Sequence, residues 1–368
     1  MFPPGDFIKE ELEERGWSQK DLGEIMGRSP KEISDLVLGK RPVSPEIARE
    51  LSAAFGTSAE VWMGLETSYQ LWRHSGVDEA IGQRAALYAF APITEMIRRH
   101  WIEASENVAV LSRRVEQHFE VDSIDQPPSL EYATRKGTDD TSASHLAWLY
   151  RAKHIARAVP AERFSRRSFS GGLSALRRLL LSAPEIRHVP RILAEAGIRF
   201  VVVEHLPSTR IDGAVLWLDG NSPVIALSLR YDRIDHFWFT LSHELGHIEL
   251  GHVKPGGSGR LDVDMFANAL ASSENSAETD ADLFAADFLV EQDALEDFII
   301  RTRPLYRKDK VMGFSMLQGV HPGIVVGQLQ HREEVPWSSF RPMLEKIRHF
   351  VTQSALTDGW GQVPPAMG

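Results

Sequence analysis

The stretch FTLSHELGHIELGH, Phe239 to His252, sets His243, His247 and His252 beside Glu244 and Glu249 in an otherwise apolar run. His243-Glu244-Leu245-Gly246-His247 is H-E-x-x-H. On a helix, residues four apart share a face, so one ion can meet both imidazoles. Glu244 is turned about 100° from His243, which aims it at a water beside the ion and not at the ion. Zinc accepts this ligand type and brings the pKa of its water toward neutrality. A nearby carboxylate can then take the proton and pass it to a leaving amine. The flanks FWFTL and IELG are apolar, so the helix, expected from about Ile234 to Leu250, should be buried. Burying two imidazoles and a carboxylate without a partner is costly, and a metal is the simplest partner.

Such a site needs a third protein ligand. His252 lies nine residues after His243, past the expected helix end, and off the spacing of the extended H-E-x-x-H-x-x-G-x-x-H motif. The segment SAETDADLFAADFLV, expected to be helical from Ser276 to Leu289, offers Glu278 and Asp282 four residues apart. Phe284, Ala285 and Phe288 form its packing face. Glu278 fits as the metal ligand and Asp282 as acceptor for the free N–H of a ligating histidine. On residues alone, Glu274 and Asp280 are rivals of Glu278, and an acidic helix start that only favours the positive end of the helix dipole is the bland alternative. Arg230, Tyr231 and His321 can each donate to an oxyanion, and nothing in the sequence chooses among them.

Around this centre the chain changes texture. GIRFVVVEHL is β-rich, and GAVLWLDGNSPVIALSL reads as two strands joined by DGNSP. A Gly-rich loop, HVKPGGSGR, ends the histidine helix. Residues 73 to about 189 read as mostly helical, broken by DSIDQPPSLEYATRKGTDDTSAS, whose proline pair and polar run predict a loop. The tail from about 336 predicts one more helix and then a loose DGWGQVPPAMG end.

The first 72 residues are a different kind of protein. Apolar residues recur at helical spacing in five short segments, with Ser18, Ser29 and Ser44 at N-cap positions and Pro30 and Pro45 at first helical positions. SQKDLGEIMGRSPKEISDLV has helix-turn-helix spacing. Counted from Gln19, Gly23 falls fifth, where two helices cross closely, and Gly27 ninth, where the turn needs a left-handed backbone. Leu22, Met26, Ile33 and Leu36 point inward. The second helix of such a motif enters the major groove, which nominates Pro30, Lys31 and Ser34 for base or sugar contact. Gln19, Lys40 and Arg41 are the phosphate contacts. Residues 1–72 carry eight Lys/Arg and thirteen Asp/Glu, a net of −5, so DNA binding rests on the local grouping of Lys31, Lys40 and Arg41. A helical bundle serving dimerisation alone is the competing reading.

Length and composition bound the rest. At 368 residues two or three domains are expected. The net charge of −10 argues against a whole-protein polyanion binder. Cysteine is absent, which rules out thiolate ligands and suits a reducing cytoplasm. No apolar run is long enough to span a membrane.

FWFTLSHELGHIELGH followed by ETDADLFAADFLV resembles the ImmA/IrrE family of zinc metallopeptidases, whose members carry H-E-x-x-H and then a Glu-x-x-Ala-(Asn/Asp)-x-Phe-Ala helix. The resemblance covers roughly 190–335 and places the third ligand on Glu278. It implies a small zincin-like fold with a twisted sheet against the active helix, one edge of which pairs with substrate. FLVEQ departs from it where relatives often have proline. PGDFIKEELEERGWSQKDLGEIMGRSPKEISDLVLGKRPVSPEIARELSAAFGTSAEVWMGLETSYQLW resembles the XRE-type helix-turn-helix of HigA-like antitoxins, with Arg28 where an apolar residue is usual. The expected whole is α+β: a helix-turn-helix domain over 1–72, a helical connecting region over 73–189, a metallopeptidase over 190–335, and a tail over 336–368. The resemblances imply a cytoplasmic homodimer that binds operator DNA and uses Zn2+ to cut a repressor-like or antitoxin-like protein. They also admit a HigA-like antitoxin with a non-cleaving zinc domain and a toxin partner, or the peptidase toxin of such a pair. The segment PPSLEYATRKGTDDTSAS is a candidate for self-cleavage.

Overall fold

A computed structural model describes residues 2–74, 79–126, 132–134, 142–254, 259–263 and 276–359. The Gly-rich run 255–258, Glu274, the last nine residues and most of the proposed self-cleavage segment lie outside the described residues. The chain divides into two compact units, Met1–Arg84 and Ala85–Gly368.

The first unit holds helices α1 (Pro4–Arg15), α2 (Gln19–Met26), α3 (Pro30–Val37), α4 (Pro45–Phe55) and α5 (Ala59–Arg73). Ser18, Ser29 and Ser44 accept hydrogen bonds from backbone N–H groups three residues on, and α2 and α3 each close a full capping box, satisfying donors that a helix start leaves orphaned. Gly27 turns the chain between α2 and α3 at φ +67°, a conformation that costs a side-chain residue. Ile8, Leu22, Ile33, Leu36, Ile47, Leu51 and Trp62 form the core, with Met26 packed at its margin. Arg28 is not an unburied exception to an apolar position. Its guanidinium donates to both Glu50 carboxylate oxygens, tying the α2–α3 turn to α4.

The second unit is built on a six-stranded sheet of order β1-β5-β3-β4-β2-β6. The strands are β1 (Tyr132–Thr134), β2 (Arg199–Val203), β3 (Ile211–Trp217), β4 (Pro223–Leu227), β5 (Gly259–Val263) and β6 (Leu356–Asp358). β3 and β4 form the expected antiparallel hairpin, with Ala214 opposite Ala226, while β2 runs parallel to β4. The helices are α6 (Glu79–Phe90), α7 (Ile93–Arg98), α8 (Val108–Phe119), α9 (Ala143–Arg157), α10 (Arg166–Arg177), α11 (Val189–Glu195), α12 (Ile234–Glu249), α13 (Ser276–Leu289), α14 (Gln292–Thr302), α15 (Lys308–Gln318), α16 (Pro322–His331) and α17 (Arg348–Val351).

Both faces of the sheet are covered, which is why its strands read as nearly continuous apolar runs. Phe200, Val202, Val215, Ile225 and Leu227 pack into one core with α12. Their sequence neighbours Val201, Val203, Ala214, Leu216, Val224 and Ala226 pack into another with residues of α6 to α9. The segment expected to be a connecting region therefore supplies one whole layer, and the boundary read at 189 falls inside a packed body. Trp148 on α9 donates to the Val203 carbonyl at 3.0 Å, and Arg151 forms a buried ion pair with Asp358. Leu356–Asp358 pairs with Val201–Val203 as β6, so the expected loose end, which begins at Asp358, starts one residue too early. Two further three- to five-residue strands break the expectation: β1 lies inside the expected loop, and β5 begins in the last two residues of the expected Gly-rich loop and runs past it. They are too short for alternation to announce them.

Candidate metal centre

α12 carries the metal-liking groups and is buried almost all round. His243, Glu244 and His247 are each 0% exposed. α13 runs against it, so that His247 meets Glu278 and His243 meets both Glu278 and Asp282. The close approach depends on Gly246, where a Cβ would sit 2.9 Å from the Phe284 ring and 3.3 Å from the Ala281 Cα.

Three donor atoms converge. His243 Nε2 and His247 Nε2 are 2.9 Å apart, and Glu278 Oε2 lies 3.2 Å from the first and 3.5 Å from the second. Ligands bound tetrahedrally at zinc distances sit about 3.3 Å from one another, so this triangle fits a zinc ion with a fourth position open. Three such groups, buried together, can hold a metal. Burial alone would push the Glu278 carboxyl up, but the two imidazoles outweigh it and hold it well below the usual carboxylate range.

The outer contacts fix the inner ones. Asp282 Oδ1 lies 2.8 Å from His243 Nδ1, a contact that, with an ion bound, would take the Nδ1 proton and leave the Nε2 lone pair to the ion. His247 Nδ1 is 3.0 Å from His252 Nδ1. His252 thus lies beside His247 and outside the group of three that could hold a metal. Gly251, at φ +72°, turns the chain back so that the His252 amide donates to the His247 carbonyl at 3.0 Å. This is the Schellman closure, which brings the residue after the glycine over the last full turn. The sequence signal is the glycine of LGH, one residue past the helix end.

Glu244 faces the sheet. On β3, a Cβ at Gly213 would fall 2.3 Å from Glu244 Oε1, so the strand makes room for this carboxylate. β3 itself is flanked by β4 and β5, so the strand against the helix is not a sheet edge. Beside it, buried Asp212 accepts two hydrogen bonds from Arg230 and lies 3.2 Å from His236 Nε2. Burial raises the Asp212 carboxyl, but His236 and Arg230 pull it below its ordinary value. Of the three oxyanion candidates, Arg230 is thus engaged with Asp212, and Tyr231 stacks under that guanidinium at 4.5 Å. His321 caps α16, its Nδ1 accepting from the Gly323 amide.

In the first unit, Gln19, Pro30, Lys31 and Lys40 are exposed and Ser34 is half-buried. Arg41 donates to Glu32 Oε1 at 2.8 Å, so its charge is partly neutralised within the motif.

Comparison with known proteins follows the same division. A helix-turn-helix family model matches residues 8–62, and a peptidase-family model described as the IrrE N-terminal-like domain matches residues 195–313. The chain belongs to the helix-turn-helix regulators and carries an IrrE N-terminal-like domain behind that module. Over 68 residues it is 35% identical to the uncharacterized HTH-type transcriptional regulator YddM of Escherichia coli K12, covering 18% of this chain and 72% of the relative. It is 32% identical over 69 residues to virulence-associated protein I of Dichelobacter nodosus, covering 18% and 64%. The IrrE-like match spans α12 and α13, the two helices that bring His243, His247 and Glu278 together. No helix among the described residues is long and apolar enough to cross a membrane.

Proposed function

We propose that this chain is a cytoplasmic, DNA-binding zinc metallopeptidase that hydrolyses a peptide bond in a repressor-like or antitoxin-like protein. The observation that carries the reading is the buried triangle of His243 Nε2, His247 Nε2 and Glu278 Oε2 with Glu244 on the same helix. His243, His247 and Glu278 would hold zinc. When bound, zinc activates water and polarises the scissile carbonyl. Glu244 takes the proton of the attacking water and returns it to the leaving amine. Asp282 holds His243 in the tautomer and orientation that presents Nε2. The helix-turn-helix, acting as a homodimer on a two-fold operator, brings the peptidase to its regulatory setting, with Lys31, Ser34 and Pro30 toward bases and Gln19, Lys40 and Arg41 toward phosphates.

The test compares new protein N-termini in cells that express the wild type or Glu244→Gln. Termini present only with wild type support the peptidase and identify its substrate. Equal sets of termini from both zinc-loaded proteins would reject it. A second reading, a HigA-like DNA-binding antitoxin with a non-cleaving zinc domain and a toxin partner, draws on the relatives whose similarity covers 18% of this chain. It predicts operator repression that Glu244→Gln leaves intact, with no change in termini.

A further inference from the structure

The run RFSRRSFSGGLSALRRLLLSAP, Arg163 to Pro184, carries five arginines and no acidic residue, in a chain whose net charge is −10. It holds the whole of α10. Ser165 caps this helix and closes a capping box with Ser168, so that the helix starts at Arg166. Phe169, Gly172 and Leu176 are its buried face. Packing there is tight: a Cβ at Gly172 would lie 2.8 Å from the Ala196 Cβ. The rotation of α10 about its axis is therefore set from within. What it turns outward is Arg166, Arg167, Ser170, Ser174, Arg177 and Arg178, all exposed.

This face consists of two arginine pairs with a low, neutral saddle between them. Arg167 and Arg178 are eleven residues apart, about 17 Å along the helix. In the saddle, Ser170 and Ser174 donate their hydroxyls to the Arg166 and Ser170 carbonyls at 3.1 Å, so nothing long or charged stands there. One arginine of each pair is anchored. Arg166 donates to the Glu249 carbonyl at 2.9 Å and meets its carboxylate at 3.3 Å. Arg177 lies 5.8 Å over the Phe288 ring. The other arginine of each pair, Arg167 and Arg178, has no acidic partner among the described residues, and neither has Arg163.

We infer that the outer face of α10 is a second DNA contact, one that grips duplex phosphates and reads no bases. The helix-turn-helix is poor in the charge such binding needs. Residues 1–72 carry a net of −5, and Arg41 is tied to Glu32. Affinity for a duplex rests on how many phosphates Lys and Arg neutralise, and α10 supplies the cations that the first unit lacks. Guanidinium groups suit phosphate because their fork meets two oxygens at once. The outward residues include no apolar side chain. The face thus lacks the buried anchors of a protein interface and the apolar side that an amphipathic helix sinks into a lipid surface. Two contacts in one chain reinforce each other, because the first to bind raises the effective concentration of the second.

The test follows the full chain binding a labelled random-sequence duplex, by fluorescence anisotropy across a salt series. Arg167→Gln/Arg178→Gln should make the slope of log K against log salt shallower by about 1.8, the loss of two phosphate contacts, and weaken binding at least about tenfold near 0.1 M salt. Both side chains are exposed, so the denaturant midpoint should stay where it is. Arg301→Gln/Arg307→Gln is the control: it removes the same charge from exposed arginines paired with Asp297 and Asp309, and should leave the slope unchanged. An unchanged slope in the α10 variant, or equal losses in both double variants, would overturn the inference. Lys31→Ala/Lys40→Ala should lower the slope separately and additively. If that variant binds as the wild type does while the α10 variant does not, the helix-turn-helix contact fails and the α10 contact stands. Position is read by photo-cross-linking. Ser174→p-benzoylphenylalanine should cross-link to the duplex and Met316→p-benzoylphenylalanine, exposed on α15, should not; the reverse pattern would overturn the inference. If the α10 variant keeps its duplex binding but loses binding to phosphatidylserine vesicles or to polyglutamate, the face belongs to a membrane or to an acidic protein, and the DNA assignment is wrong.

Discussion

Gly213 on β3 and Glu244 on α12 are in such close apposition that a methyl group on the first would lie 2.3 Å from Oε1 of the second. The other atoms a Cβ would meet, Leu227 Cδ2 and Thr240 Cγ2, are 3.1 Å away. What must move is therefore the far end of the glutamate. Gly213→Ala is expected to leave zinc content unchanged and to cost no more than about 1–3 kcal/mol of stability, the usual range for small overpacking. Glu244-dependent hydrolysis should fall by about 10²-fold, as a 1 Å displacement of a reacting group can cost. Zinc stoichiometry, a denaturant melt and the rate on one peptide check all three. Full activity in a folded Gly213→Ala protein would show that Glu244 is not held by the strand.

The two outer contacts of the histidines should differ in weight. Asp282 is a carboxylate at 2.8 Å from His243 Nδ1, and His252 an imidazole at 3.0 Å from His247 Nδ1. Asp282→Ala is expected to weaken zinc binding by about 10–100-fold, the range seen for such supporting groups. His252→Ala should weaken it less, because a neutral acceptor stabilises an N–H less than a charged one does. Competition against a chelator measures both. An unchanged affinity in both variants would mean that neither contact persists with metal bound.

How much of this was legible depended on how local the signal is. His243 and His247, like Glu278 and Asp282, are four apart, and a helix turns that spacing into geometry directly, while the choice of Glu278 over Glu274 and Asp280 rests on the family resemblance. The caps at Ser18, Ser29 and Ser44 are local for the same reason. Gly213 was quoted only as part of a strand, although a glycine inside a strand often marks close approach of another group. Its reason lies 31 residues away in Glu244, and no single-sequence pattern links the two. The layer formed by α6 to α9 is hidden in the sequence because amphipathic helices do not say which sheet they cover. β6 is hidden because three residues carry no period.

His118 should make the second unit sensitive to mild acid. Burial, reinforced by His154, holds its imidazole down at about 3, neutral at every physiological pH, with Nε2 donating to the Ala147 carbonyl. The unfolded chain protonates this ring near pH 6.5. Below that pH the unfolded state binds a proton that the folded state refuses, so stability falls as pH falls. The contribution is complete above about pH 6.5 and is lost progressively toward pH 3. Between pH 7.5 and 5.5 the expected loss from this group is about 1.4 kcal/mol. His118→Gln keeps an N–H donor, lowers stability at pH 7.5, and should flatten that slope by about the same amount. Denaturant melts of both proteins at the two pH values test it. Parallel pH slopes would mean that His118 is not buried neutral.

Glu32 restrains the positive charge beside the helix-turn-helix of the first unit. Its carboxylate accepts from Arg41 at 2.8 Å and from the Ser29 amide at 3.0 Å, and these contacts lower it to about 2, the Ser29 amide first. Glu32→Gln preserves the capping box, which glutamine closes as well as glutamate, so α3 should still form. The substitution removes one negative charge and releases Arg41 from its ion pair. Binding to a random-sequence duplex should tighten severalfold at low salt, and the slope of log K against log salt should steepen by about 0.9 if Arg41 gains one phosphate. Lys31→Ala should do the reverse, weakening binding and making the slope shallower by a similar step if Lys31 touches a phosphate. If Lys31 reads a base edge instead, binding to an operator should fall by about 1–3 kcal/mol with specificity relaxed at one position. Salt titrations of the wild type and both variants, by fluorescence anisotropy on a labelled duplex, separate these outcomes. Identical slopes in all three proteins would place both residues outside the DNA contact and return the first unit to a role in association alone.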